Sequence, residues 1–183
     1  GYSLHAAQLF AVRLWLPVFL TAVLVARGVS TTEAVVTGAT IGGVALAVGS
    51  VGPVMGGIIS DRWGRAMSAS AIFALSGVCA FLIGWTVDLP WAVIVAVGMV
   101  YGWATAADSA IYQTGVIEVS SPARLGSTMA IQASLGLMGG VVGPIAFGAI
   151  LDVSPEAYRW VVSYSALGLL AIVAVAGLQR LRT

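Results

Sequence analysis

Gly57-Ile-Ile-Ser-Asp61-Arg62-Trp-Gly64-Arg65 is a short charged loop that joins two long apolar stretches of the chain. Six such stretches fill nearly all of the 183 residues. Each has about the 20 apolar residues, or more, that a helix needs to cross the hydrocarbon core of a bilayer. Because the stretches are continuous and do not alternate, the pattern favours helices over the strands of a membrane barrel. The sequence therefore predicts an all-α membrane protein with six transmembrane helices.

The predicted helices cover almost the entire chain. We place them at about residues 5–27, 35–59, 67–86, 90–117, 125–151 and 159–179. The segments between them are short and polar and leave no room for a soluble domain. Residues 1–183 are therefore expected to form one six-helix transmembrane domain.

Composition supports a membrane location and argues against several classes of function. The chain is 60% hydrophobic and 8% charged, whereas a soluble domain carries about 25% charged residues. A net charge of +1 argues against a nucleic-acid partner, because no basic surface is available to bind phosphates. With one His and one Cys, we expect no metal site, no cofactor and no nucleophilic triad, and hence no enzyme.

Arginine predicts the orientation, since loops on the cytoplasmic side of a membrane are enriched in basic residues. Two arginines, Arg27 and Arg159, fall on one side of the predicted bundle, beside four acidic residues. The other side holds both ends of the chain and five arginines: Arg62, Arg65, Arg124, Arg180 and Arg182. Both termini are therefore expected in the cytoplasm, with the protein in the cell (inner or plasma) membrane.

The charged loop resembles the signature between the second and third helices of each half of major facilitator superfamily transporters. The matching residues are Gly57, Asp61, Arg62, Gly64 and Arg65. The match ends at the next position, an alanine, where the family usually has a further Lys or Arg. The place of the loop, after the second of six spans, agrees with the family as well.

Residue types in the loop also have physical roles of their own. Asp61 can accept hydrogen bonds from the free backbone N–H groups at the start of the next helix. Gly64 permits a tight turn, and Arg62 and Arg65 can reach carboxylates or lipid phosphates. The family resemblance further implies that Glu118, at the end of the fourth span, pairs with one of these arginines in a gate on the cytoplasmic side.

The fifth span carries a second resemblance, because Gly143-Pro144 is similar to the family's glycine-proline motif. Gly139 and Gly143 are one turn apart and can bring two helices close together. Pro144 has no backbone donor, so the helix is expected to bend or loosen there. Phe147-Gly148 replaces the family's closing Gly-Gly pair, so the motif does not indicate an antiporter.

The resemblance covers essentially the whole chain but only half of a transporter. Family members enclose their solute between two six-helix halves, each an inverted 3+3 repeat. Two passages look more like the C-terminal half, helices seven to twelve: residues 1–17 and residues 107–126. The expected partners are therefore the solute, the lipid bilayer, and either the missing N-terminal half or a second copy of the chain.

Alternating-access transport of a small solute is the function that the resemblance implies, driven by the solute gradient or by a coupled proton. A small organic anion and a drug-like amphiphile suit the sparse intramembrane charge equally. Two alternatives stay open, namely a non-transporting six-helix membrane subunit and a half-size transporter that works as a homodimer.

Two ionisable residues lie deep in the predicted spans, where such residues usually face a partner or a cavity. Arg13 is eight residues into the first span and Asp108 is ten residues before Glu118, which places them about 12 and 15 Å deep. In the family, the first and fourth helices of each half line the central cavity, so we expect an Arg13–Asp108 pair. Arg13 would be an anion anchor or gate and Asp108 its counter-ion or a proton carrier. The alternative is a permanent ion pair that only locks the two helices.

Other polar and aromatic residues are candidates for the solute pathway, although each can equally be a packing residue. Tyr112 is one turn from Asp108 on the same helix face. His5 is expected at the hydrated cytoplasmic edge. The remaining candidates are Trp15, Gln8, Gln113 and Gln132.

Overall fold

The computed structural model describes residues 1–180, and all regular structure in them is helical. These residues form eight α-helices: α1 (Tyr2–Ala26), α2 (Thr31–Gly49), α3 (Gly52–Trp63), α4 (Arg65–Ile83), α5 (Trp91–Ala107), α6 (Ser109–Val119), α7 (Leu125–Val153) and α8 (Arg159–Arg180). Short 3-10 turns extend α4 to Thr86 and precede α7 from Pro122. The predicted all-α fold class is confirmed.

Within the described part of the chain, six helical segments are long and apolar enough to cross a membrane. They are Tyr2–Ala26, Thr31–Trp63, Arg65–Thr86, Trp91–Val119, Pro122–Val153 and Arg159–Gly177. The largest difference from the predicted ends is in the second span, where the predicted 35–59 becomes Thr31–Trp63. Ser30 accounts for the earlier start, because its hydroxyl accepts from the backbone N–H of Glu33 and caps the helix.

The bundle has two ends, which differ in charge. We call the end with Gly64 and residues 120–124 the basic end, and the end with residues 27–30, 87–90 and 154–158 the opposite end. Of the five arginines that predicted the orientation, Arg182 lies outside the described residues, and so does the side chain of Arg180.

Spans two and four are each interrupted partway along their length. The second span breaks between α2 and α3 at Ser50, and the fourth breaks between α5 and α6 at Asp108. Both residues keep right-handed helical dihedral angles, with φ −64° and ψ −24° at Ser50 and φ −85° and ψ −8° at Asp108. Each break therefore loosens the helix without reversing the chain.

The two interrupted spans touch each other backbone to backbone. A methyl group added to Gly56 would overlap the carbonyl oxygen of Ala107, and one added to Gly52 would lie 3.0 Å from the Ala107 nitrogen. Glycine permits this approach because it has no side chain to hold the helices apart. The end of α5 is thus packed tightly on α3.

The central helix of the bundle is α1, which contacts α2, α5, α7 and α8. Aromatic rings fill the core beside it. The ring of Tyr164 packs against Phe147 at 4.9 Å and against Phe19 at 5.5 Å between centroids, with all three side chains no more than 1% exposed. Edge-to-face pairs of this kind add dispersion and quadrupole attraction to the burial of apolar surface.

The glycine run of the fifth span packs α7 against α1. Gly139 approaches the carbonyl oxygen of Ser3, and Gly143 that of Ala7, so closely that a methyl group on either glycine would overlap it. The carbonyl of Pro144 accepts a hydrogen bond of 3.0 Å from the indole N–H of Trp15. α7 runs unbroken through Pro144, and the interrupted spans are the second and the fourth.

Gly143→Ala is expected to destabilise the protein, because its new methyl group must displace the α1 backbone. Overpacking of this kind typically costs about 1–3 kcal/mol. The matched control is Gly126→Ala in the same helix, where the added methyl group meets nothing within 4 Å. Thermal unfolding of the detergent-purified protein measures both variants. Equal melting temperatures would contradict the close α1–α7 contact.

Candidate functional site

Polar side chains are buried together where α1, α4 and the fourth span meet. We call them the polar cluster: His5, Gln8, Ser76, Tyr101, Asp108 and Ser109. All but Ser109 are at most 3% exposed. Buried polar groups are costly unless they bind one another, so their concentration in one place inside a membrane domain marks a candidate functional site.

Helix periodicity places these residues on facing surfaces. His5 and Gln8 are three residues apart, about one turn, and share one side of α1. Tyr101 and Asp108 are seven residues apart, about two turns, and share one side of the fourth span. Ser76 reaches the same point from the middle of α4. The cluster therefore links three spans.

His5 and Asp108 form the ionisable core of the cluster. Nδ1 of His5 lies 2.9 Å from Oδ1 of Asp108, and Nε2 of His5 lies 3.1 Å from the hydroxyl of Ser109. The approach to Asp108 is a close ion-pair contact without a well-aligned hydrogen bond, since neither carboxylate oxygen has an aligned donor among the described residues. At this distance a proton lies between the two atoms, on Nδ1 or on the carboxyl group.

Gln8 on α1 contacts the third and fourth spans through the two ends of its amide. Its Nε2 donates to the hydroxyl of Tyr101 at 3.3 Å, and its Oε1 accepts from the hydroxyl of Ser76 at 3.0 Å. Because Tyr101 is completely buried, Gln8 supplies the hydrogen bond that this hydroxyl would otherwise lose.

The predicted Arg13–Asp108 pair is wrong. Asp108 is fully buried against His5, whereas Arg13 is exposed and its guanidinium lies over the ring of Phe10. The reason is the register of α1. His5 is level with Asp108, so Arg13 lies eight residues, or about 12 Å, further along the helix.

The expectation that His5 lies at a hydrated edge is wrong for the same reason. His5 is 3% exposed and is level with Asp108, which lies eleven positions inside the end of the fourth span. Sequence reasoning measured depth from the start of each apolar run. Neighbouring helices do not begin at the same depth, and only their packing shows the offset.

The other candidate pathway residues divide into two groups. The Tyr112 ring lies 5.4 Å from that of His5, and Gln132 on α7 donates to the Tyr112 carbonyl at 3.4 Å, so both border the polar cluster. Trp15 instead stacks on Phe147, away from the cluster, and the side chain of Gln113 is exposed.

Three members of the polar cluster were missed by sequence reasoning: Ser76, Tyr101 and Ser109. Tyr101 had a detectable signal, because it lies two turns before Asp108 on the same helix face. Ser109 is the immediate neighbour of Asp108. Ser76 had no such signal, since only the tertiary structure brings its side chain on α4 to Gln8.

A second polar site lies at the basic end, where Arg65 joins three helices. Its guanidinium lies 2.7 Å from Asp61 on α3 and 2.8 Å from Glu118 on α6, and it also donates to the hydroxyl of Ser60 at 2.8 Å. Gly64, with φ +82°, makes the turn that brings Arg65 back towards Asp61. Glu118 is half exposed, so these ion pairs are screened by solvent and salt.

Two expectations about this loop need correction or completion. No side chain caps the start of α4, so the expected capping by Asp61 is wrong, and its carboxylate binds Arg65 instead. Of the two arginines proposed to meet Glu118, Arg65 does so. The side chain of Arg62 is exposed and forms no ion pair with a described residue.

Gln8→Leu is expected to destabilise the protein by about 1–3 kcal/mol, because it leaves the buried Tyr101 hydroxyl without a partner. Adding Tyr101→Phe should recover much of this loss, since the unpaired hydroxyl is then absent. Gln113→Leu, at an exposed position, serves as the control. Thermal unfolding in detergent measures all of these variants. Additive losses in the double variant would contradict the Gln8–Tyr101 contact.

Comparison with known protein families supports the resemblance seen in the charged loop at the basic end. The model of the family described as Major Facilitator Superfamily matches residues 2–182. Comparison with curated proteins and with solved structures gave no match. The match covers almost the entire chain, and the six apolar spans fit one six-helix half. The chain therefore belongs to the major facilitator superfamily, a family of multi-pass membrane transporters.

Proposed function

We propose that this chain is one half of a secondary transporter, equivalent to helices seven to twelve, which moves a small solute by alternating access coupled to a proton. The observation that carries this proposal is the buried His5–Asp108 pair. A membrane protein retains such residues at a cost, and they are typical of ion and proton pathways.

The pair has the chemistry of a proton carrier. With Nε2 protonated and one further proton shared between Nδ1 and the carboxyl group, the two groups form an imidazole–carboxylic acid or an imidazolium–carboxylate pair with no net charge. Loss of that proton leaves a buried anion, and gain of a second leaves a buried cation. Either charge is costly in this environment. A movement that admits water to the pair would therefore change its proton occupancy, which is what coupling requires.

The fourth span offers a place for such movement. Asp108 lies at the break between α5 and α6, and its own backbone carbonyl accepts from Ile111 and Tyr112 as the helix restarts. A small change in the angle between α5 and α6 would move the carboxylate relative to His5 on α1. Proton binding and helix movement are then coupled, because Asp108 both takes part in proton binding and lies at the break between the two helices.

We further propose that the ion pairs of Arg65 form a gate at the basic end, which we assign to the cytoplasm. They join α3, α4 and α6 through exposed groups. Exposed ion pairs contribute little net stability, so they can break and reform as the transporter changes conformation.

A second six-helix unit is needed to complete the transporter, either an N-terminal half or a second copy of this chain. The second and fifth spans support this proposal, because they are the least buried of the six: in an apolar stretch of 18 residues in each, only 28% and 22% are buried within the chain. We propose that these spans face the second unit and that the solute passes between the two.

Asp108→Asn is expected to abolish proton-driven uptake while solute exchange across the membrane continues, because the variant cannot release a proton. The measurement uses proteoliposomes that contain the complete transporter and a trapped pH-sensitive dye. Radiolabelled carboxylates, sugars and amines are tested as solutes. Asp152→Asn, at an exposed position near the opposite end, is the control and should behave as wild type.

Uptake by the Asp108→Asn variant with unchanged proton movement would contradict the proton-carrier role. Wild-type protein that moves no solute, although it is folded and joined to its second unit, would instead support the non-transporting alternative.

Glu118→Gln is expected to shift the balance between the inward-open and outward-open forms, because it removes one of the two carboxylates that hold Arg65. Single cysteines placed at each end are labelled with a membrane-impermeant maleimide, in a background where the buried Cys79 is replaced. Arg62→Gln is the matched control. Unchanged labelling at both ends in Glu118→Gln would contradict the gate.

A further inference from the structure

We propose that Arg13 binds the anionic group of the transported solute, and that the solute is a small organic anion with a carboxylate or phosphate head and an apolar body. This inference rests on the proposed transport function and names its substrate class.

Arg13 lies near the middle of the membrane by two independent measures. It is eleven residues from Tyr2 and thirteen from Ala26 along α1, or about 17 and 20 Å. It also lines a cleft with Gly102 and Thr105 of α5. Thr105 is the central residue of the fourth span, Trp91–Val119.

The cation of Arg13 is not neutralised within the described chain. It forms no ion pair with any described carboxylate, and its guanidinium carbon lies 5.5 Å from the centre of the Phe10 ring. A cation–π contact offsets only part of the loss of hydration at mid-membrane. Thr105, which supplies the hydroxyl among the residues lining the cleft, already donates to the Gly102 carbonyl.

Other charges are either paired or lie near the ends of the described spans. Asp108 is paired with His5, and Arg65 with Asp61 and Glu118. At the opposite end, Arg27 donates to the carbonyls of Val87 and Leu89. Arg13 therefore differs from the rest by being exposed, deep and unmatched, and a cation in that position needs an anion or water rather than lipid.

The shape of the cleft argues that the anion reaches Arg13 from the exposed side. The cleft lies between α1, α2 and α5 and has a volume of about 20 Å³, which holds about one water molecule. A solute does not fit inside it, so it must bind between this chain and the second unit. The guanidinium would present several N–H donors to an oxyanion and bind it in a bidentate manner.

The surroundings of Arg13 indicate what the rest of the solute is like. Phe10 and Leu14 are exposed beside it, at 39% and 55%, and the cleft itself is lined largely by aliphatic side chains. These surfaces offer dispersion contacts and no hydrogen bonds. An organic anion with an apolar body satisfies both the guanidinium and these neighbours.

The test measures binding of benzoate and phenyl phosphate to the complete transporter in lipid nanodiscs, with benzamide as the neutral analogue. Wild-type protein should bind at least one of the two anions and should bind benzamide at least tenfold more weakly. Arg13→Gln should weaken anion binding tenfold or more. Arg13→Lys should weaken it less, because lysine keeps the positive charge but lacks the planar guanidinium group. Arg124→Gln, exposed at the basic end, is the control.

Several results would overturn the proposal. They are equal anion binding by wild type and Arg13→Gln, equal binding of benzamide and benzoate, and no anion binding by wild type. Restoration of Arg13→Gln transport by neutralising a carboxylate in the second unit would also overturn it, because Arg13 would then be held by protein. Melting temperatures measured without ligand verify that the variants fold. If Arg13→Gln does not fold, anion binding by Arg13→Lys is compared with that of wild type instead.

Failure of this inference is distinguishable from failure of the proposed function. A wild-type protein that transports sugars or amines, and whose Arg13→Gln variant does the same, retains alternating access with a different substrate class. A protein whose cysteine labelling never alternates between the two ends, and which moves no solute, lacks the function itself.

Discussion

The hydrocarbon core of a bilayer offers no hydrogen-bond partners, and most features of this protein follow from that constraint. Backbone groups must bind within their own helix, which is why the described residues form helices of membrane length. The hydrophobic effect does not hold helices together in lipid, so close packing between them must hold them together instead. Gly139 and Gly143 bring α7 onto the backbone of α1, and Gly56 brings α3 onto the end of α5.

The same constraint explains the form of the polar cluster. Gln8 links Ser76 and Tyr101 through both ends of its amide, so these groups satisfy one another without water. His5 and Asp108 are close, but both carboxylate oxygens lack an aligned donor. One part of the cluster is therefore satisfied and structural. The other is ionisable and incompletely satisfied, and it lies at the break between α5 and α6, where a helix can adjust at least cost.

Charged groups at the basic end behave differently because water reaches them. Arg65 binds carboxylates from two helices, yet these groups are partly exposed and screened. Such contacts suit a connection that opens and closes, whereas the glycine contacts inside the membrane suit one that persists. Arg13 is neither an exposed ion pair at the basic end nor a packing contact inside the bundle. Because it is both deep and exposed, we propose a partner for it outside this chain.

The sequence by itself determined the all-α fold, the six spans and the family, because the length of apolar runs and the spacing of Gly57, Asp61, Arg62, Gly64 and Arg65 are local properties. It also identified Asp108 and Arg13 as the unusual charges. Tertiary structure alone decided their partners. The offset between neighbouring helices places His5, and not Arg13, beside Asp108, and Ser76 beside Gln8. Such offsets arise from side chains packing between helices, which no single stretch of sequence encodes.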